Sequence, residues 1–372
     1  MRDKMSDQPI TAAKSQVESA CEILRTKIKT GELSNNGKIP SARKLADRLD
    51  CNRNAVWRAL LVLKEERYVT TTPTGRYLVH PRFQLNNPAQ NTLKVAFVGE
   101  GESTITNAFT QGIYTALAGN QDGYNIQLDL RLGTKEKQQE ASDLLSYDAI
   151  ILATYWSFRL YDTLKKKGKL VTSVVAPLRD QPPCGVQIDD FHGGELAGQA
   201  YCDRASERIV VLAENCYYPE AWPSAFELRT LGLRRRWLQH GKRTQAIAKH
   251  PLPVDLLSRI KEIERIVDAQ EHRVDYFALS DSSALMLHSV LRDRGIKIPE
   301  QAQIISFDNR QHDAATETPS LSSIYLAPSA FSDKLVEQLR FIEVDPNFSE
   351  IAYIKPRLIA RDSLKSLKTH HA

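Results

Sequence analysis

Residues 37–63 read GKIPSARKLADRLDCNRNAVWRALLVL, and this stretch decides the fold of the first part of the chain. Pro40 precedes Ser41, which is a favourable N-cap for a short helix, and Asn52 can cap a second, longer helix. After each cap the apolar residues recur at intervals of three and four, the period of a helix with one buried face. The predicted inward positions are Leu45, Ala46 and Leu49 in the short helix and Val56, Ala59, Leu60 and Leu63 in the longer one.

The flanking segments add a helix before this pair and a hairpin after it. Residues 13–30 predict a helix that ends at Gly31, a residue suited to a left-handed C-cap. Two β-rich runs, 68–72 and 76–79, flank a Pro-Thr-Gly turn and predict a hairpin. This order of elements is typical of a winged helix-turn-helix, whose third helix enters the DNA major groove. The apolar stripe of the first helix consists of Val17, Cys21, Leu24 and Ile28.

The charge distribution singles out the same part of the chain. Residues 1–80 contain 15 Lys and Arg against 9 Asp and Glu, a net charge of +6, whereas the whole chain carries +5. The remaining residues therefore sum to −1, and all the excess positive charge lies in the first fifth. This is the pattern expected of a nucleic-acid-binding domain attached to a nearly neutral one. A solvated helical surface that happens to be basic is the alternative interpretation.

The outward face of the third helix contains side chains suited to reading bases. Arg53 and Asn54 point outward in its first turn, and Arg makes paired hydrogen bonds to guanine, as Asn does to adenine. Trp57 either packs on a sugar or thymine methyl or simply covers the helix surface. Basic residues near the second helix are placed for phosphates, which fix register without reading sequence. The wing tip is placed to approach either the DNA backbone or the minor groove. The candidate DNA-binding residues are Lys38, Arg43, Lys44, Arg53, Asn54, Trp57, Arg58, Thr74, Gly75 and Arg76.

This part of the chain resembles the GntR-type winged-helix signature. The shared pattern is G-x-L, then G-K-I-P-S-x-R-x-L-A, then N-R-N-x-V-x-R-A-L-x-x-L, and the resemblance covers roughly residues 17–80. Two positions depart from the pattern: Arg67 replaces the usual glycine before the wing, and Trp57 stands where a polar residue is common. By position, the resemblance implies DNA contacts from Arg43, Arg53 and Asn54 and a wing tip at Thr74-Gly75.

The pattern changes after residues 81–92, PRFQLNNPAQNT, a polar segment with two prolines that predicts a linker. Beyond it, short apolar strands alternate with helices in two sets. Such alternation predicts an α/β fold with two doubly wound parallel sheets, one in each of two lobes. The predicted strands are 93–98, 124–130, 148–153, 170–175, 208–213, 276–279 and 303–307, and the predicted helices are 105–119, 135–146, 157–167, 193–203, 225–240, 255–269 and 282–294.

Polar residues follow several of these strands. Ligands of open α/β sheets bind at the carboxyl ends of the strands, where Ser280-Asp281 and Asp308 lie, with Arg229 on a nearby helix. Carboxylates and Arg hydrogen-bond hydroxyl-rich ligands, and aromatic residues such as Tyr155 and Trp222 cover the apolar face of a sugar ring. Asp281 is also well placed to cap the next helix, so a purely structural role is open for it.

Residues 93–363 resemble the effector domain of the LacI/GalR family, which is itself similar to periplasmic sugar-binding proteins. The matches include Asn107-Ala-Phe, Val186-x-Ile-Asp-x-Phe-x-Gly-Gly, Arg229-x-x-Gly and Asp275-Tyr-Phe-Ala-Leu-Ser-Asp. The resemblance implies a periplasmic-binding-protein-like domain with an effector between its lobes, a sugar being expected. In one departure the predicted strand 170–175 runs into Ala-Pro, where sugar-responsive members often have Asp. The candidate ligand-binding residues are Asn107, Phe109, Tyr155, Trp222, Arg229, Ser280, Asp281 and Asp308.

Together these features predict a DNA-binding transcription regulator, expected to act as a repressor. Its parts are a winged helix-turn-helix domain at 10–80, a linker at 81–92 and an effector-binding domain at 93–372. A homodimer would place two reading helices on the half-sites of an inverted repeat in operator DNA. The alternative is a solute-binding protein for sugar uptake, which the large domain alone would permit but which the basic first domain disfavours.

The sequence does not contain the marks of several other classes of protein. It has no P-loop, no metal-spaced His/Cys set and no nucleophile motif, and Gly99-Glu-Gly101 lacks the third glycine of a dinucleotide loop. The five cysteines are scattered without a C-x-x-C pair, which predicts free thiols. Neither a membrane span of roughly 18 apolar residues nor an apolar secretory stretch is found. We therefore expect a cytoplasmic protein without catalysis, cofactor or metal.

Overall fold

The computed structural model describes residues 16–33, 39–49, 51–66, 68–71, 75–80, 92–100, 108–119, 125–133, 139–153, 155–174, 182–214, 224–270, 273–309 and 319–367. The chain divides into two compact units, of which the first comprises Met1–Leu93 with Gln121–Ile126 and Leu339–Ser349. The second unit contains the remaining residues. We call residues 16–80 the head and residues 92–367 the large domain, and each is considered by itself.

Three helices and a hairpin form the head. They are α1 (Gln16–Lys29), α2 (Ala42–Leu49), α3 (Arg53–Glu65), β1 (Val69–Thr71) and β2 (Tyr77–Val79). The two strands pair antiparallel, and one apolar cluster buries residues from all five elements. The winged helix-turn-helix architecture is therefore confirmed.

The helix ends of the head follow local capping chemistry. The Asn52 side chain accepts a hydrogen bond from the backbone N–H of Asn54 at 2.8 Å, and the Ser41 hydroxyl accepts one from Lys44 N at 3.4 Å. Gly31 has a φ of 75°, the left-handed conformation that favours glycine after a helix. All three features lie where the sequence predicts them, because each depends on neighbouring residues alone.

Strands and helices alternate through the large domain. In chain order its elements are β3 (Thr92–Glu100), α4 (Ala108–Gly119), β4 (Asn125–Gly133), a 3-10 helix (Ala141–Leu144), β5 (Ala149–Leu152), a 3-10 helix (Tyr155–Leu160), α5 (Tyr161–Lys166), β6 (Leu170–Val174), β7 (Gly185–Ile188), α6 (Asp190–Asp203), β8 (Ile209–Glu214), α7 (Ala225–Gln239), a 3-10 helix (Thr244–Ala246), β9 (Ile247–Leu252), α8 (Leu256–Asp268), β10 (Asp275–Ala278), α9 (Asp281–Asp293), β11 (Ile304–Asp308), β12 (Ser322–Tyr325), α10 (Pro328–Val344), β13 (Ile351–Ile354) and β14 (Arg357–Ile359).

These strands form two six-stranded sheets, which define two lobes. The first-lobe sheet has the order β13-β7-β6-β5-β3-β4, and the second-lobe sheet has the order β14-β12-β11-β10-β8-β9. Pairing from β9 to β12 in the second lobe is parallel, and β14 is added antiparallel to β12. The predicted two-lobed α/β architecture is confirmed, with an antiparallel edge strand that the prediction did not include.

The chain passes between the lobes three times. It leaves the first lobe between β7 and α6, returns between β12 and α10, and leaves again between β13 and β14. The first and last of these passages touch, because the Asp189 backbone N–H donates to the Ile354 carbonyl at 3.0 Å. Both lobes are therefore assembled from non-contiguous segments.

Several elements differ from their predictions. The predicted helix 135–146 is wrong in its described part, which forms only the 3-10 helix Ala141–Leu144. Its first turn is closed by a capping box between Glu140 and Asp143. The strand list omitted β7, β9, β12 and β13, which are four to six residues long, and the first three of these contain polar residues or proline. The linker prediction at 81–91 lies outside the described residues, and Thr92 already belongs to β3.

A close crossing of α6 and α7 determines the packing of the second lobe. A Cβ atom on Gly194 would lie 1.9 Å from the Arg229 carbonyl oxygen, and one on Gly232 would lie 1.9 Å from the carbonyl oxygen of Phe191. Real Cβ atoms do not approach backbone so closely, so only glycine permits this separation. The crossing places the first turns of the two helices side by side.

We expect Gly194→Ala to destabilise the protein by about 1–3 kcal/mol, because the added methyl group meets backbone that cannot rotate away. Urea unfolding followed by circular dichroism measures the change. Gly119→Ala is the matched control, since nothing lies within 4 Å of a Cβ built there. The control should leave stability unchanged or raise it slightly; equal losses in both variants would contradict the proposed role of the crossing.

Candidate nucleic-acid interface and ligand site

One face of α3 buries the apolar stripe and the other presents polar residues to solvent. Val56 and Leu60 are buried, whereas Arg53, Asn54 and Arg58 are exposed. Within the described residues, the side chains of these three exposed residues make no hydrogen bond or ion pair. Their donors are therefore available for an outside partner.

Trp57 lies on the same outward face. Half of it is exposed, at 50%, which is unusual for the largest apolar side chain. It does not close over the helix core, because the positions that form the core are the adjacent Val56 and Leu60. An exposed tryptophan between two arginines offers a flat apolar surface next to cationic donors.

The other predicted DNA-binding residues lie around this helix. Arg43 and Lys44 are exposed in the first turn of α2, and Gly75 and Arg76 are exposed at the start of β2. Gly75 has a φ of 77°, which favours glycine at the tip of the wing. Lys38 and Thr74 lie outside the described residues, as does Arg67, where the sequence departs from the GntR pattern.

In the large domain, the carboxyl end of β8 meets the start of α9. Glu214, the last residue of β8, accepts hydrogen bonds from the hydroxyls of Ser280 and Ser283, the latter at 2.6 Å. Arg259 on α8, which is nearly buried, also contacts Glu214, at 3.2 Å. Three elements are thus joined through one carboxylate.

Ser280 and Asp281 have different structural roles. The Ser280 hydroxyl caps α9 by accepting from Ser283 N at 3.2 Å, so the interpretation of Asp281 as the cap is wrong. Asp281 is 1% exposed, and its carboxylate accepts hydrogen bonds from Ser306 at 2.5 Å and Ser323 at 3.0 Å. It therefore joins the first turn of α9 to β11 and β12.

Arg229 lies on the first turns of α7 with its guanidinium held in the interior. Its Nε donates to Asp190 Oδ1 at 2.8 Å, and its Nη1 donates to the Leu279 carbonyl at 2.5 Å. The guanidinium carbon lies 3.5 Å from the ring centroid of Phe307. Burial raises the pKa of Asp190 above its usual range, and the charge of Arg229 acts in the opposite direction.

The end of β11 is conformationally strained. Asp308 has a φ of 99° and Asn309 a φ of 50°, values that cost about 1–3 kcal/mol each when the residue is not glycine. The turn is held by Arg361, whose Nη2 donates to Asn309 Oδ1 at 2.6 Å, and by a 3.0 Å bond from Asn309 N to Ser323. Strain that is held in this way is frequent at binding sites.

The structure brings part of the predicted ligand set together. Arg229 reaches Leu279, which immediately precedes Ser280, and it packs on Phe307, which immediately precedes Asp308. Asn107 and Trp222 lie outside the described residues, and for Phe109 and Tyr155 only the backbone is described. The second-lobe half of the predicted site is therefore the part with a known geometry.

Sequence reasoning did not single out Asp190 or Glu214. Asp190 follows Asp189, which caps α6 by accepting from His192 N at 2.9 Å, and a pair of acidic residues at a helix start is an ordinary capping signal. Glu214 extends an apolar strand by one residue, so its position at a strand end was the available signal.

Metal binding and membrane spanning both require features that are recognisable in a structure. Among the residues that the structure describes, no group of three or more His, Cys, Asp or Glu side chains is arranged to hold a metal ion. Across the same residues, no helix combines the length and apolar character needed to cross a bilayer.

Two family models match the chain, one for each domain. Residues 16–79 match the model described as bacterial regulatory proteins, gntR family. Residues 203–364 match the model of a periplasmic binding protein-like domain. The first match coincides with the head, and the second runs from the last residue of α6 to beyond β14.

Two curated relatives are named as transcriptional repressors. The arabinose metabolism transcriptional repressor of Halalkalibacterium halodurans is 21% identical over 310 residues, which is 79% of this chain and 80% of the relative. The HTH-type transcriptional repressor PurR of Vibrio vulnificus is 22% identical over 263 residues, 66% of this chain and 74% of the relative.

Solved structures share the fold at low sequence identity. The transcriptional regulator CelR in complex with cellobiose has a TM-score of 0.59 and 18% identity, covering 94% of this chain and all of that one. A LacI family regulator from Enterococcus faecium with bound ribose has a TM-score of 0.59 and 20% identity, covering 74% of this chain and all of that one. The lac repressor dimer bound to operator has a TM-score of 0.57 and 12% identity, covering 75% and 96%.

We expect Glu214→Ala to destabilise the protein by about 1–3 kcal/mol, because nearly buried Arg259 and two hydroxyl groups lose an acceptor. Thermal unfolding of the purified protein measures the loss. Glu262→Ala is the control, since it removes the partner of Arg265, a side chain that is 64% exposed. Exposed pairs contribute little, so the control should change the midpoint much less; a control loss as large would contradict the assignment.

Proposed function

We propose that this chain, which joins a gntR-family regulatory domain to a periplasmic binding protein-like domain, is a DNA-binding transcriptional regulator controlled by a small-molecule effector. The observation that supports this most directly is the outward face of α3. The side chains of Arg53, Asn54 and Arg58 are exposed there without partners among the described residues, at the place where a winged helix-turn-helix reads the major groove.

The DNA-binding residues divide by role. Arg53 and Asn54, at the start of α3, are the proposed base-reading pair, with Trp57 and Arg58 next to them. Lys38, Arg43 and Lys44 bind phosphates, and the wing residues Thr74, Gly75 and Arg76 contact the DNA backbone or the minor groove. Phosphate contacts make affinity depend strongly on salt concentration and supply little sequence information.

The protein acts as a homodimer on an inverted repeat. Two reading helices related by a two-fold axis match two half-sites about one helical turn apart. A similar protein, the lac repressor dimer, is bound to its operator in the solved structure. The transcriptional repressors among the relatives support a repressor rather than an activator.

The effector is a sugar or a related metabolite bound between the lobes. In the second lobe, Arg229, Ser280, Asp281 and Asp308 contribute, and Asn107, Phe109, Tyr155 and Trp222 complete the set. Structures with cellobiose and ribose among the similar proteins support a carbohydrate. Regulation requires that the effector bind one arrangement of the lobes more tightly than the other, and it needs no catalysis.

A solute-binding protein for sugar uptake is the alternative function, because the large domain alone would suit it. The cationic face of α3 favours regulation in the cytoplasm instead. Fluorescence polarisation decides between them, with a labelled DNA selected from a random pool. Salt-sensitive, sequence-specific binding is expected of the regulator, and binding of sugar without any binding of DNA would leave uptake as the function.

We expect Arg53→Ala to weaken binding to the selected DNA by about 1–3 kcal/mol, because a paired hydrogen bond to a base is lost. Binding to random DNA should change much less. Arg265→Ala, an exposed arginine of the large domain, is the control and should change neither. An equal loss on selected and random DNA would mean that Arg53 contacts only phosphate.

We expect Arg229→Ala to weaken effector binding by about tenfold or more, since a hydrogen bond from a charged donor contributes about 1.5–3 kcal/mol. DNA affinity without effector should remain, and sugar-dependent release of DNA is the measurement. Arg340→Ala, another buried arginine, controls for lost stability. A normal release of DNA by the Arg229 variant would exclude this residue from the site.

A further inference from the structure

The protein itself uses two of the five N–H groups of the Arg229 guanidinium, one on Nε and one on Nη1. Of its three nitrogens, Nε donates to Asp190 and Nη1 to the Leu279 carbonyl. Within the described residues, Nη2 has no hydrogen-bond partner, and 6% of the side chain remains exposed. One edge of the guanidinium is therefore left for a ligand.

Aromatic rings restrict the direction from which a ligand can approach. The centroid of the Phe307 ring lies 3.5 Å from the guanidinium carbon, and the Phe226 ring centroid lies 5.4 Å from it. A stacked guanidinium offers its in-plane N–H groups rather than its face. A ligand that contacts Arg229 at its Nη2 edge must then do so by accepting a hydrogen bond in the plane of the guanidinium.

The charge of Arg229 is balanced one-to-one by Asp190. The Asp190 side chain is fully buried, its Oδ1 accepts from Arg229, and its Oδ2 has no hydrogen-bond partner among the described residues. Among the residues that the structure describes, no second cation shares this carboxylate. Because the pair is buried and only 2.8 Å apart, an anion that accepts a hydrogen bond from Nη2 would also be repelled by the Asp190 carboxylate bound to the same guanidinium.

We propose that Asp190 is a positioning residue that selects an uncharged hydroxyl group of the effector over a carboxylate or phosphate. It does so by holding Arg229 with one N–H edge open and its positive charge already compensated. This inference rests on the proposed function, because it takes Arg229 to be an effector-binding residue.

Asp190 also connects this selection to the fold. It is the first residue of α6, directly after the first passage between the lobes, and neighbouring Asp189 bonds to the last passage. The close helix crossing at Gly194 and Gly232 brings α6 and α7 near enough for the pair to form. The Asp190–Arg229 contact therefore both orients the guanidinium and compensates its positive charge.

The test uses the full chain, with sulfate as an anionic probe of fixed charge. Asp190→Asn keeps the size of the side chain and an acceptor for Arg229 Nε but removes the negative charge. Isothermal titration at constant ionic strength should show sulfate binding at least about tenfold tighter in this variant than in the wild type, as expected for an uncompensated guanidinium. Asp190→Asn with Arg229→Gln should lose this gain.

Two results would overturn the inference. One is sulfate affinity that is the same in the wild type and the Asp190→Asn variant; the other is a gain that persists when Arg229 is also replaced. DNA binding by each variant is measured in parallel. Absence of DNA binding by the wild type would contradict the proposed function. If the wild type binds DNA but its sulfate affinity equals that of the Asp190→Asn variant, only the role of Asp190 is contradicted.

A second measurement needs no variant and covers the case in which Asp190→Asn does not fold. The unfolding midpoint of the wild type is recorded with D-ribose and with ribose 5-phosphate, and then with D-glucose and glucose 6-phosphate. In at least one pair the neutral sugar should raise the midpoint more than its phosphate ester. Equal or greater stabilisation by the esters in both pairs would overturn the proposal.

Discussion

The approach of α6 to α7 through Gly194 and Gly232 is the constraint on which the second lobe depends. A methyl group at either position would overlap a backbone carbonyl oxygen, so no other residue permits the crossing. With the helices at this separation, Asp190 and Arg229 meet at 2.8 Å, and Arg229 then reaches the ends of β10 and β11. Two residues without side chains thus determine where a charged side chain is presented.

Polar groups inside the second lobe are placed by other polar groups rather than by solvent. Glu214, Asp281 and Asn309 each bond to at least two partners from other elements, and serine hydroxyls supply most of the links. A buried network in which every member is satisfied is rigid, because moving one group leaves others without partners. This rigidity accounts for the strained φ angles at the end of β11.

Sequence patterns predicted the head almost completely and the large domain only in outline. Caps at Ser41 and Asn52 and the stripe of α3 are local signals, so they identify elements directly. The α/β alternation likewise indicated two sheets. The short strands β7 and β13 were missed because their pairing joins distant parts of the chain, and the Asp190–Arg229 pair was missed because it depends on how two helices cross. Of the predicted site, Arg229, Ser280 and Asp308 are brought close to one another through contacts that no spacing rule contains.

The hydrogen bond between Asp189 and Ile354 places two of the three interlobe passages side by side. Two adjacent passages of this kind form a hinge between the lobes. The lobes can swing about that line with small changes in backbone torsion, whereas sliding one past the other would break the bond. A rotation that keeps this bond intact would have its axis next to the first turn of α6, where Asp190 lies.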